Sequence, residues 1–455
     1  MTNPQIPNVA LRLTLLGLAL LGAPIVHAGD TRWPTSVVAR TSVDGDLDPT
    51  FGIGGQQLFA HNPDAFPSSG TTLGGLAALA NGAVQAAMRI ADNASIVILR
   101  LDAQGTPDAA FGANGRVKLS TCVGSGDVAI ATSGDAGAVI WTGECLIKLR
   151  ANGTLDPAFG QQGIVTIGNG PVVMVMDSAH RTVLAGVDNS GPYAYRYLAD
   201  GRFDSSFGSN GIARVDFAFA HGSNLRTLAI GPHGAITAGG SWVATDFTNF
   251  LLLWRLRDDG SPDTTFGAGG VVELPMQSAY VDALLPLDKG DVVVSGPTIF
   301  NGERCVFLAR FAVDGSLAQP FGLRFSLPPA NELQLFSFFE TRSALTLLPH
   351  DRILLGLTAF IPTTTQQRAD FTLMRFLPDG TLDTNFGGSG WRTYDMLDLN
   401  GHGLSESYDQ LHSMLVVGGK VTLFGRTFFE GDPNRLDYLA FARVALDDLF
   451  RDSFE

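Results

Sequence analysis

The chain has 455 residues, a formal net charge of −14, 45% hydrophobic residues, 54 glycines and 23 prolines. Its hydrophobic content excludes an intrinsically disordered chain, and its shortage of cations argues against a surface for nucleic acid or anionic membranes. Many glycines and prolines between short apolar segments favour strands and turns over long helices.

Residues 1–28 have the pattern of a secretory signal peptide. Arg12 precedes an apolar run from Leu13 to Gly22, and Val26-His27-Ala28 forms a small-residue cleavage site. The apolar run is shorter than the roughly 20 residues that span a bilayer, and no later run reaches that length. We therefore expect an exported protein that does not span a membrane, located in the periplasm or outside a Gram-negative cell, with residues 29–455 as one domain.

A thirteen-residue motif recurs eight times along the rest of the chain. It consists of a cation, three residues, Asp-Gly, any residue, an apolar residue, Asp, two residues and Phe-Gly, as in Arg196 to Gly208 (RYLADGRFDSSFG). The cations are Arg40, Arg100, Lys148, Arg196, Arg255, Arg310, Arg375 and Arg443. The phenylalanines are Phe51, Phe111, Phe159, Phe207, Phe266, Phe321, Phe386 and Phe454.

The segments between successive phenylalanines share one pattern of four strands. A short apolar strand follows Phe-Gly, two more strands end in turns, and the fourth runs into the next cation. Four strands per repeat are typical of a β-propeller blade. The chain begins and ends in the same part of the motif, so we expect its terminal strands to pair in one blade and leave no exposed edge. The sequence predicts an all-β, seven-bladed β-propeller, with eight blades as the alternative because the motif has eight copies.

The pattern Arg-x3-Asp-Gly-x-Leu-Asp-x2-Phe-Gly-x2-Gly resembles the bacterial delta-60 repeat, a propeller-like repeat of secreted or surface proteins. The resemblance covers nearly all of the chain after residue 28. This sequence departs from the pattern at Gln104 and Asn152, which replace the first Asp, and at Ala318 and Arg451, which replace the second. The resemblance implies a propeller-like fold and assigns no catalytic role to any motif position.

Each motif residue has a structural interpretation and a functional alternative. Asp-Gly is a turn signal, because glycine accepts a positive φ and the carboxylate accepts a local backbone hydrogen bond. The buried cation should pair with a motif Asp of its own or the neighbouring blade, the alternative being a ring of cations that binds a ligand. The phenylalanine should fill the space between blades. Calcium binding is the alternative for Asp44, Asp46 and Asp48, whose carboxylates alternate along one turn.

The three cysteines are too few for a disulfide scaffold. Cys122 and Cys145 lie in the same repeat and are a candidate disulfide in an oxidising compartment, with two buried thiols as the alternative. Cys305 is then unpaired.

The sequence contains no nucleophile elbow, phosphate loop or zinc-binding motif. The leading hypothesis is therefore a monomeric, non-catalytic binding or scaffold module that contacts a protein or glycan and uses no cofactor other than the calcium alternative. The enzyme alternative is a hydrolase or lyase with its site in the central channel, because the propeller fold serves both kinds of function. A purely structural surface protein is the third hypothesis.

Overall fold

The computed structural model describes residues 45–60, 72–89, 95–124, 126–168, 170–217, 223–326, 342–362, 367–396, 407–417, 419–429 and 437–446. Within these ranges there are 28 strands, and the helical elements are two 3₁₀ turns of three residues each. No helix in the described part of the chain is long and apolar enough to cross a membrane. The chain divides into residues 1–33 and 34–455. All the strands belong to the second unit, whereas the predicted signal peptide lies outside the described residues.

The first strand, β1, covers Gln56–Ala60. The next twenty strands form five antiparallel four-stranded sheets, each in chain order. Sheet 1 contains β2 (Thr72–Ala78), β3 (Val84–Arg89), β4 (Ile96–Leu101) and β5 (Arg116–Leu119). Sheet 2 contains β6 (Ala129–Thr132), β7 (Ala138–Trp141), β8 (Cys145–Leu149) and β9 (Ile164–Thr166). Sheet 3 contains β10 (Val173–Met176), β11 (Thr182–Asp188), β12 (Gly191–Tyr197) and β13 (Ile212–Arg214). Sheet 4 contains β14 (Ser223–Ile230), β15 (Ile236–Val243), β16 (Asn249–Leu256) and β17 (Val271–Pro275). Sheet 5 contains β18 (Ala283–Pro286), β19 (Val292–Phe300), β20 (Glu303–Phe311) and β21 (Leu323–Ser326).

The remaining strands and β1 form one eight-stranded sheet. They are β22 (Ala344–Leu347), β23 (Ile353–Pro362), β24 (Gln367–Phe376), β25 (Trp391–Tyr394), β26 (Ser407–Val417), β27 (Lys420–Phe429) and β28 (Asp437–Ala445). The order is β1-β28-β27-β26-β24-β23-β22, with β25 also paired to β24. Its two antiparallel halves meet at a single parallel pairing between Ala369 and Tyr408. The N-terminal strand β1 therefore completes the half that holds the C-terminal strands, in a register that starts at Gln56 opposite Ala442.

The first strands of the four-stranded units lie next to one another in series. Strands β2, β6, β10, β14, β18, β22 and β26 each contact the next, and β26 also contacts β2. Most of the apolar core lies between neighbouring sheets. One buried cluster joins Ile98 and Phe111 of sheet 1 to Ile140 and Ile147 of sheet 2. Because both faces of a middle strand are covered, the sequence AVIW of β7 is buried at every position.

The sheets and the sequence repeats do not begin at the same strand: the first strand of each repeat is the last strand of the preceding sheet. The strand after Phe-Gly does not start a new sheet: β5 follows Phe111 and pairs with β4, which precedes it. The motif is itself the hairpin connection between these strands, since Asp108 N–H donates to the Arg100 carbonyl at 3.0 Å and Phe111 N–H donates to the Asp108 carbonyl at 2.9 Å. This hydrogen-bonded connection returns the chain beside the strand that precedes it, so each repeat contributes its first strand to the preceding sheet.

Candidate functional site

The described motif arginines lie near the ends of the third strands, and all except the half-buried Arg310 are at most 5% exposed. In the motif of sheet 3, Arg196 Nε donates to Asp204 Oδ2 at 2.7 Å, and its guanidinium lies 4.5 Å from the centre of the Phe207 ring. The same arrangement recurs where Arg375 Nε donates to Asp383 Oδ2 at 2.7 Å. Burying a guanidinium is tolerated when its charge and its N–H groups have partners.

Not every motif cation has an acidic partner from a motif. The cations within 4.0 Å of a motif carboxylate are Arg100, Lys148, Arg196 and Arg375. Arg310 instead pairs with Asp291 at 2.8 Å, because Ala318 replaces the motif acid. Arg255 donates from Nε to Thr237 Oγ1 at 3.1 Å and from Nη1 to the Val313 carbonyl at 3.3 Å.

Arg443, like Arg255, donates to hydroxyl and carbonyl oxygens instead of a motif carboxylate. Its Nε donates to Thr422 Oγ1 at 3.1 Å, and Nη2 donates to the Gly82 carbonyl at 3.1 Å. The expectation of a motif Asp for every cation is therefore wrong at Arg255, Arg310 and Arg443, because hydroxyl and carbonyl oxygens or a different carboxylate accept these bonds. Arg40 lies outside the described residues.

The motif phenylalanines lie at the contact between consecutive motif copies. Their relative exposures are 0–2% at Phe51, Phe111, Phe159, Phe207, Phe266, Phe321 and Phe386, whereas Phe454 lies outside the described residues. The next copy covers the ring: a Cβ on Gly260 would come within 2.9 Å of Phe207, and Gly260 has a φ of +83°. Gly208 N–H donates to the Asp259 carbonyl at 2.7 Å across the same contact. The motif thus fastens neighbouring sheets together.

The first and last copies of the motif combine into one. Asp48 N–H donates to the Arg443 carbonyl at 2.7 Å, and the Arg443 guanidinium lies 4.3 Å from the centre of the Phe51 ring. The Asp-Gly turn of the first copy covers the seventh phenylalanine, since a Cβ on Gly45 would lie 2.7 Å from the Phe386 ring. The C-terminal copy therefore supplies the cation, and the N-terminal copy supplies the acid and the phenylalanine.

The carboxylates of the calcium alternative contact basic side chains. Asp48 Oδ2 accepts from Lys420 Nζ at 2.7 Å, and Asp46 forms an ion pair with Arg392. Burial raises the pKa of Asp48, but the hydrogen bonds from Lys420 and Thr50 outweigh it and hold the pKa below its ordinary value. Asp44 lies outside the described residues.

The cysteines occupy two different environments. Cys122 and Cys145 are joined as a disulfide with a Cα–Cα distance of 5.9 Å. Cys305 lies in β20 and is 2% exposed. Burial raises the pKa of the Cys305 thiol to about 11, so it is protonated at neutral pH.

A pocket of about 420 Å³ with polar side chains in its lining opens beside β14, β18 and β22. Its polar lining includes Asn224, Asn249, Tyr280, Asp282, Arg304 and Arg342. Pockets of roughly 300–1,000 Å³ are the usual size of small-ligand sites. Most of these residues come from the ends of strands in different sheets, at positions that the motif does not include.

Asp282 organises the charged wall of this pocket. It is 7% exposed and accepts a hydrogen bond from Arg226 Nε at 3.1 Å, and its Oδ2 accepts one from Ser343 N–H. The Arg226 guanidinium lies 4.3 Å from the centre of the Tyr280 ring. These contacts fix Arg226 and Tyr280 relative to each other.

Arg342 connects this wall to two other sheets. Its Nη1 donates to the Arg226 carbonyl at 3.2 Å, and its Nη2 lies 3.4 Å from Asp127 Oδ2, just before β6. The side chain of Arg342 is 30% exposed, so part of the guanidinium is available to a ligand. His412 on β26 lies near Arg342: burial lowers the pKa of His412 to about 3, and the charges of Arg342 and Arg426 lower it further. His412 is therefore neutral at physiological pH.

Sequence reasoning missed this pocket. Asp127, Asp282 and Arg342 each lie within two residues of the start of a first strand. The sequence signal that could have revealed the pocket is a charged residue directly before the first, apolar strand of several repeats.

One family model agrees with an all-β repeat fold. A family model described as "Domain of unknown function (DUF5122) beta-propeller" matches residues 363–386. None of the curated proteins compared matches the chain. Among solved structures, the polysaccharide lyase Uly1 is 9% identical with a TM-score of 0.46, over 83% of this chain and 90% of the other. Drosophila Semaphorin 2a is 8% identical with a TM-score of 0.44, over 91% and 77% of the two chains. Sqt1 from Chaetomium thermophilum is 13% identical with a TM-score of 0.41, over 85% and 100%.

Proposed function

We propose that residues 29–455 form one closed ring of seven four-stranded blades of the delta-60 type, exported as a monomer after removal of residues 1–28. Two observations support the ring. The first strands contact one another in series from β2 to β26 and back to β2. The motif copies also contact one another in series, and Gly45 of the first copy covers Phe386 of the seventh.

On this scaffold we propose a binding function for an acidic, polyhydroxylated ligand, such as a uronate-containing segment of a glycan. The observation that carries the proposal is the lining of the 420 Å³ pocket, which combines amides and hydroxyls with two arginines and one acid. Amide and hydroxyl groups satisfy sugar hydroxyls, and a guanidinium presents a planar pair of donors to a carboxylate.

The charges of the pocket favour an anion over a cation. Asp282 is already paired with Arg226 at 3.1 Å, and Arg342, whose Nη2 lies 3.4 Å from Asp127 Oδ2, keeps 30% of its side chain exposed. Arg304 lines the same pocket. A lining with two arginines and one acid, in a chain of net charge −14, makes this position more favourable to an acidic ligand than the rest of the surface.

The test is calorimetric titration of the purified chain with oligogalacturonates and with neutral oligosaccharides of the same length. The acidic series should bind more tightly, and added salt should weaken it. Arg342→Gln should reduce the affinity at least tenfold, while Arg202→Gln, whose side chain is 76% exposed and pairs with Asp200, should not change it. Equal affinity for acidic and neutral sugars, or an unchanged affinity of the Arg342 variant, would contradict the proposal.

A lyase is the second candidate, and one observation favours it. Tyr280 and Asp282 both line the pocket and contact the Arg226 guanidinium, through the tyrosine ring and the carboxylate respectively, and the neutral His412 lies near Arg342. Proton abstraction next to a carboxylate needs a base and a cation that neutralises the acid. Incubation with the same oligogalacturonates should then yield products that absorb ultraviolet light through a new carbon–carbon double bond. Binding without such products supports the non-catalytic function.

A further inference from the structure

Three aspartates meet where the two halves of the eight-stranded sheet join. Asp370 lies on β24, Asp395 directly follows β25, and Asp409 lies on β26. One carboxylate oxygen from each residue lies within 4.8 Å of the others. Asp370 and Asp409 are both 0% exposed. Three carboxylates this close repel one another, and burial strengthens the repulsion.

A second feature of the cluster is a pair of buried polar atoms without hydrogen-bond partners. Asp409 Oδ2 accepts from Met396 N–H at 2.8 Å, whereas Asp409 Oδ1 has no partner among the described residues. Thr427 pairs directly opposite Asp409 in the β26–β27 register, so both side chains lie on the same face of the sheet. The Thr427 side chain is 0% exposed and its hydroxyl faces the Asp409 carboxylate, yet neither this hydroxyl nor Asp409 Oδ1 makes a hydrogen bond of good geometry within the described part of the chain.

Orphaned buried oxygens are rare in folded proteins, because each loses its hydration without compensation. Here both orphans lie at the carboxylate cluster, and a bound cation would give both of them a partner. A bound cation would also neutralise the mutual repulsion of the three carboxylates.

We propose that Asp370, Asp395 and Asp409 bind one calcium ion between β24 and β26. The donors are all oxygen, which is the preference of hard divalent cations. Mg²⁺ usually keeps several waters and takes only one or two carboxylates, whereas Ca²⁺ accepts more carboxylate oxygens in a flexible geometry. A cluster of three carboxylates whose oxygens lie within 4.8 Å of one another therefore favours Ca²⁺.

The proposed calcium site lies at the junction between the two halves of the eight-stranded sheet, so a bound ion would stabilise that junction. Among the described residues, the two halves of the sheet share the Ala369–Tyr408 pairing alone, and both residues are direct sequence neighbours of the proposed ligands Asp370 and Asp409. The Asp395 carbonyl also accepts a hydrogen bond from Gln56 Nε2 of β1 at 2.8 Å. Calcium bound here links β24, β26 and the end of β25 at the junction between the two halves of the sheet. This inference does not depend on the proposed glycan function.

The experiment is a calcium titration of the full, metal-stripped chain, followed by calorimetry and thermal unfolding. We expect one saturable site per chain, and at a calcium concentration 100-fold above Kd a Tm increase of about 3 °C. Magnesium should bind at least tenfold more weakly. Asp409→Asn and, in parallel, Asp370→Asn should each reduce calcium affinity at least tenfold. The matched control is Asp246→Asn, an exposed turn residue whose substitution should leave calcium binding unchanged.

The metal-free proteins give an independent readout. Asp409→Asn removes one of three clustered negative charges, so without calcium its Tm should equal or exceed that of the wild type. The variant should therefore lose the calcium response without losing the fold. Absence of saturable calcium binding by the wild-type chain would overturn the proposal, and so would an Asp409→Asn variant with wild-type calcium affinity. If either aspartate variant fails to fold, the wild-type titration and the other variant still decide the question.

Discussion

The substitution Phe207→Ala measures how strongly the motif fastens adjacent sheets. The Phe207 ring is 0% exposed and lies between the Arg196 guanidinium at 4.5 Å and the Asp-Gly turn of the next copy. A buried aromatic ring covers about 150–250 Å², which corresponds to about 4–6 kcal/mol at 25 cal/mol per Å². Because the unfolded chain already buries part of this area, we expect a loss of about 3–5 kcal/mol, as for other Phe-to-Ala changes in cores.

Urea unfolding followed by tryptophan fluorescence tests this expectation, since Trp141 and Trp254 are both 0% exposed. With an m-value of about 3 kcal/mol/M, the midpoint should fall by about 1–1.7 M. Phe247→Ala is the matched control, because Phe247 is 75% exposed, and its midpoint should change by about 0.3 M at most. If the two variants shift the midpoint equally, the motif phenylalanine does not hold the sheets together.

Two further predictions concern the motif charges. Arg375→Met leaves the Asp383 carboxylate buried beside an apolar side chain and should lower the free energy of unfolding by about 3–5 kcal/mol. In the same urea assay, Arg202→Met, at a side chain that is 76% exposed, should lower it by less than about 1 kcal/mol. Similar losses in the two variants would contradict the buried-pair interpretation. Burial raises the pKa of Asp204, but hydrogen bonds from Ser206 and Arg196 outweigh it and keep the pKa below the ordinary 3.8. This pair therefore contributes stability above pH 3.8 that is lost as the pH falls through the lower folded-state value. Asp204→Asn should be less stable than the wild type at pH 6 and should lose less stability between pH 5 and pH 2; parallel pH profiles would refute the assignment.

The features that sequence reasoning predicted are those encoded by neighbouring residues. The turn at Asp200-Gly201, the cation at Arg196 and the buried ring of Phe207 all belong to one thirteen-residue segment, so local spacing was enough to predict the turn and the burial. The hydrogen-bond partner of each buried motif cation was less predictable. Arg255 and Asp263 have the same spacing as Arg196 and Asp204, yet Arg255 bonds to Thr237 because β15 places that hydroxyl directly opposite it.

The pocket could not be predicted in this way. Arg342 and Asp127 are 215 residues apart, and their side chains meet only because the first strands of several sheets lie side by side. The aspartates on β24 and β26 are brought together by the single pairing of Ala369 with Tyr408. Contacts of this kind depend on the packing between sheets, which no local spacing encodes.

The combined motif of the two termini explains the degenerate last copy. In that copy Arg451 occupies the position of the second Asp and Glu455 that of the final Gly, whereas Arg443 is retained. Asp48 of the N-terminal copy takes the position of the missing acid, since its N–H donates to the Arg443 carbonyl at 2.7 Å, and Phe51 provides the ring beside the Arg443 guanidinium. The described residues contain seven motif cations, Arg100 to Arg443, and seven motif phenylalanines, Phe51 to Phe386. The eight sequence copies are therefore compatible with seven cation–phenylalanine motifs.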